Sequence, residues 1–124
     1  LHALTDERDR PELLLAAVRH FHQAGGAVAL GNDYGTPGVP AGLPAGEMEL
    51  LAQAGLSPMQ ILQAGTRQAA AACGQAGALG TIEPGKLADL IVVAGDPLAD
   101  RGALAELTLV VLGGVIVRRP PRGE

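Results

Sequence analysis

The chain has no tryptophan, one tyrosine, one phenylalanine and one cysteine in 124 residues. Aromatics make up 2% against 48% apolar residues, so a core has to be built from Ala, Leu, Val and Ile with almost no ring packing. The single thiol, Cys73, excludes an intrachain disulfide and fits a reducing compartment; after an alanine run at a predicted helix end it reads as an inert buried thiol. No apolar stretch reaches the about 18 residues of a membrane span, and no signal-peptide pattern is present, so the sequence reads as a soluble, cytoplasmic protein. The net charge is −4 with the acidic residues spread singly, which leaves no electrostatic footprint for nucleic acid or an acidic membrane. Arg118, Arg119 and Arg122 lie on a proline-bearing tail and read as solvated charge. There is no phosphate-binding glycine motif and no cysteine cluster. The histidines spaced two apart, His20 and His22, fall in a predicted helix, where they point roughly opposite ways; their place near its negative end accounts for them better than a metal does. A complete (β/α)₈ barrel, at about 200 residues or more, cannot be made from this length.

What is present divides near residue 75. Pro11 to Gly25 reads as an amphipathic helix: Pro11 suits its first turn, Glu12 its positive end and Gly25 its stop. Leu14, Ala17, Val18 and Phe21 share one face, which should pack on a sheet. Ala27-Val28-Ala29-Leu30 is a continuous apolar run, as expected of a strand covered on both faces in a parallel sheet. Residues 35 to 46 hold too many glycines and prolines for regular structure and predict a loop. A second helix is predicted from Glu47 to Ala54, closed by Gly55; Ser57-Pro58-Met59-Gln60 is a capping box that opens a third, to about Ala64. Thr66 can cap a short helix through Ala72, stopped by Gly74. Beyond Gly77 the period changes to short strands and turns: Glu83-Pro84-Gly85-Lys86 is a tight turn, Ala88 to Val93 a β-branched run, and Gly113-Gly114 the centre of a hairpin. Asp89 reads as a turn and strand-edge hydrogen-bonding residue. Glu47 and Glu49 flank the glycine-rich loop and could reach a pocket or simply face solvent.

The most informative residue is Asp33, in Ala29-Leu30-Gly31-Asn32-Asp33-Tyr34-Gly35, where the apolar run stops and the loop begins. At the carboxyl end of a buried strand a barrel enzyme places a metal ligand or a general base, whereas an Asp before Tyr-Gly is in many proteins only a turn residue. The surrounding tracts bear on that choice. Gly31-Asn32-Asp33-Tyr34-Gly35, Glu47-Met48-Glu49-Leu50-Leu51, Ala54-Gly55-Leu56-Ser57-Pro58, the run from Leu79 to Val93, Asp96-Pro97-Leu98 and Leu112 to Val117 together resemble the carboxyl-terminal region of the amidohydrolase superfamily, closest to its imidazolonepropionase-like and prolidase-like branch. Asn32 stands where that family usually has Thr or Ser.

The resemblance implies an α/β architecture: residues 1–76 as the terminal helix-strand-helix portion of a metal-dependent (β/α)₈ barrel, residues 77–124 as strands of a small composite β-sandwich. It implies that Asp33 is both catalytic residue and metal ligand, with Tyr34 and Gly35 facing the substrate pocket. The cofactor would be a divalent metal, zinc in most such enzymes, whose other ligands lie outside this chain. The implied activity is hydrolysis of carbon–nitrogen bonds in an amide, cyclic amide or dipeptide-like small molecule, with the segment inactive alone. Partners would be a second copy or the missing amino-terminal portion; the alternative is a partner-dependent or non-catalytic module that completes a barrel with another chain.

Overall fold

The computed structural model describes residues 11–31, 37 and 42–118. Four helices come first: α1 (Pro11–Gln23), α2 (Ala45–Gln53), α3 (Pro58–Gly65) and α4 (Arg67–Ala72). An antiparallel sheet follows, β1 (Leu90–Val93), β2 (Leu107–Leu112) and β3 (Val115–Arg118), in the order β1-β2-β3, with a 3₁₀ turn at Arg101–Ala105 before β2.

Three helices end in the same way. After α1, α2 and α4 a glycine at positive φ (Gly25, Gly55, Gly74) turns the chain back. The next amide then bonds a carbonyl five residues earlier: Gly26 to Phe21, Leu56 to Leu51, Gln75 to Ala70. Positive φ carries no Cβ penalty in glycine, so sequence alone places these stops. The start of α3 is equally local, because Gln60 N–H donates to Ser57 Oγ at 3.3 Å and Ser57 N–H to Gln60 Oε1 at 2.8 Å, with Pro58 at the first helical position. Thr66 departs from expectation. Its hydroxyl donates backward to the Leu62 carbonyl at 2.7 Å instead of capping α4, because α3 runs almost directly into α4 and leaves that carbonyl within reach.

The core is Met48, Leu51, Ala54, Leu56, Ile61, Ala64 and Leu104, with Ile61 only 1% exposed. Leu15, Val18, Val28, Leu30 and Val93 pack on its margin. Leu104, from the 3₁₀ turn, therefore seats the β region on the helices. Helix α1 buries a different stripe from the one expected: Leu15 and Val18 face α2 and the core, while Leu14 and Phe21 are 63% and 55% exposed and the Phe21 ring lies over Gly26. Among the described residues no strand is seen to cover that second stripe. The same lack explains residues 27–31, which are not a strand: every described strand pairs within β1–β3, so this run has no ladder neighbour. Its burial alternates instead, with Val28 and Leu30 half-buried and Ala27 and Ala29 exposed.

In the sheet, Leu112 pairs with Val115 across Gly113 and Gly114, both at positive φ as a type I′ hairpin requires. Asp89 ties this tip to the start of β1: its Oδ1 accepts from Gly113 N–H at 2.6 Å, while Ala88 O accepts from Gly114 N–H. The Glu83-Pro84-Gly85-Lys86 turn closes with Lys86 N–H on Glu83 O, and Gly85 at φ +90° gives it type II geometry. Cys73 is exposed, not buried, since it borders a groove of about 650 Å³ lined by Ala69, Leu79, Leu87, Ile91 and Val111 among others, which no described residue fills. No described helix is long and apolar enough to cross a membrane.

Gly80 marks where the β region leaves the helices. At φ +90° a Cβ there would sit 2.7 Å from Ala70 Cβ and 3.0 Å from Arg67 Cα, so the contact is with backbone that cannot swing aside. Gly80→Ala should destabilise by about 1–3 kcal/mol in chemical denaturation. Gly77→Ala, with nothing within 4 Å of its Cβ, should stay within about 0.5 kcal/mol. Equal effects would show that the Gly80 contact is not tight in solution.

Candidate active site

Asp33, Tyr34 and Gly35 lie outside the described residues, and what the structure defines is the frame around them. The run that leads to them is held by two consecutive amides. Leu30 N–H donates to Ala64 O at 2.9 Å, in the last turn of α3, and Gly31 N–H to Glu47 Oε1 at 3.5 Å, in the first turn of α2. The loop expected over residues 35–46 returns by Leu43 and Pro44 into α2, two residues earlier than the predicted helix start.

Glu49 faces away from Glu47 toward the β region. Its Oε2 accepts from the Arg101 guanidinium at 2.5 Å and its Oε1 from Gln53 Nε2 at 3.4 Å. The Arg101 hydrogen bond, with help from Gln53 and from the guanidinium charge, holds the Glu49 carboxyl below its ordinary value. A cleft of about 390 Å³ opens beside this pair, lined by Leu43, Ala45, Met48, Glu49, Asp100 and Arg101 among others. Asp100 is already engaged, accepting from Gly102 N–H at 2.8 Å as the cap of the 3₁₀ turn. Neither the Glu47–Gly31 bond nor the Glu49–Arg101 pair was foreseen from the sequence. Pro44 before Glu47 was an available signal for the first; nothing local announces the second, which spans 52 residues.

His20 is exposed and His22 half-buried, in the last turn of α1. Among the described residues no three of His, Cys, Asp and Glu stand together to hold a metal ion. They do not fit a metal site by themselves, and any such site needs donors from beyond them.

The family profile described as the Amidohydrolase family matches residues 5–117. This chain belongs to the amidohydrolase family. It is 38% identical over 83 residues to the imidazolonepropionase of Symbiobacterium thermophilum, a match covering 63% of this chain and 19% of that protein. A Bifidobacterium longum structure, provisionally described as a prolidase, superposes with a TM-score of 0.78 at 37% identity, over 90% of this chain and 28% of that one. A Xaa-Pro dipeptidase with methionine bound in its active site gives 0.74 at 30% identity, over 85% and 25%. The chain thus spans about a fifth of the curated relative and about a quarter of the similar structures. The amidohydrolase segment shares their fold along most of its length.

The Glu49 shift has a signed consequence. Because the folded value is depressed, the pair's contribution is present above the unfolded carboxyl value and lost as pH falls through the folded one. The stability gap between wild type and Glu49→Gln should be measurable by denaturant at pH 7, begin to shrink near the ordinary glutamate value of about 4.3, and close only below the folded one. Absence of a gap at pH 7 would show that this solvent-facing pair contributes nothing.

Proposed function

We propose that this chain is the carboxyl-terminal segment of a metal-dependent hydrolase that cleaves a carbon–nitrogen bond in an amide, a cyclic amide or a dipeptide-like substrate. Membership of the amidohydrolase family carries the reading. The likeness to a dipeptidase and to an imidazolonepropionase supports the choice of bond. In this reading residues 1–76 end a (β/α)₈ barrel, residues 77–124 supply strands of a composite β-sandwich, and residues 27–31 gain ladder neighbours from the rest of the barrel.

Asp33 is the residue assigned to the chemistry, with Tyr34 and Gly35 on the pocket side. A carboxylate at a strand's carboxyl end can take a proton from the attacking water and deliver it to the leaving nitrogen. Zinc is the metal proposed, with Asp33 as this chain's donor and the other donors outside it; stable zinc sites use three or four protein ligands. The isolated segment is accordingly inactive.

The alternative is a partner-dependent or non-catalytic module that completes a barrel with a separate chain or a second copy. Uncovered apolar side chains favour some form of association: Ile82 is 86% exposed and Val115 65%.

In the full-length polypeptide, Asp33→Asn should lower kcat/KM on Xaa-Pro dipeptides or a cyclic amide by about 10²- to 10⁴-fold. A variant with wild-type activity would end the assignment. Stoichiometric zinc retained by the isolated 12.5 kDa chain after dialysis, read by elemental analysis, would contradict the claim that its donors lie elsewhere. On size-exclusion chromatography the isolated chain should elute above its monomer mass; a clean monomer would count against association.

A further inference from the structure

We draw no further inference here: the strongest candidate, the open apolar groove of about 650 Å³ between α4 and the sheet, with Cys73 on its rim and Leu79, Leu87, Ile91 and Val111 in its walls, carries nothing because no observation in the structure shows what covers it.

Discussion

The inward face of helix α2 is the constraint on which the rest of the described fold depends. Met48, Leu51 and Ala54 put one apolar stripe into the core, against Leu56, Ile61 and Ala64 from the α3 side and Leu104 from the β region. The other sides of the same nine-residue helix are used as well. Its carboxyl end receives Arg19 from α1 on the Gln53 carbonyl at 2.7 Å, a cation at the negative end of the helix, and its first two turns receive Gly31 and Arg101. A helix this short is marginal by itself, so the packing holds the helix as much as the helix organises the packing.

Legibility in the sequence followed the range of the interaction. Devices closed within five or six residues could be read directly: the three glycine stops, the Ser57 capping box, the type II turn at Pro84-Gly85 and the Gly113-Gly114 hairpin each need only their own residue types at their own spacing. Asp89 was recognised as a turn residue, although the amide it holds, Gly113, is 24 residues away. The burial of α1 and the pairing of residues 27–30 were misread for one reason. Leu14, Phe21 and the run from Ala27 to Leu30 have the composition of surfaces made to meet a sheet, and composition records the intended neighbour whether or not the chain contains it. Cys73 was misread in the same way, because an alanine-flanked thiol is usually covered and here its groove is open. Asp33, Tyr34 and Gly35 were assigned a role only through the order of several tracts, since Asp33 before Tyr-Gly has no distinguishing local chemistry, and they lie outside the described residues.

These misreadings share a direction. In each case the sequence is more apolar than the described structure can bury, and the excess lies on α1, on the sheet and along the groove beside α4, with almost no contribution from the core itself. The chain covers about a quarter of its similar structures, and exposed apolar faces of this kind ordinarily mark surfaces that meet other protein.

Glu47 and Glu49 show how one turn of helix can serve both halves of such a segment. Residues two apart on an α-helix are separated by about 200°, so their carboxylates cannot cooperate at one site. The same geometry kept His20 and His22 from reading as a chelating pair. On α2 it lets Glu47 turn toward the run that leads to Asp33 while Glu49 turns toward Arg101 and the sheet. A rotation or shift of α2 would then disturb both contacts together. The β region and the run that ends at Gly31 thereby bear on the same short helix.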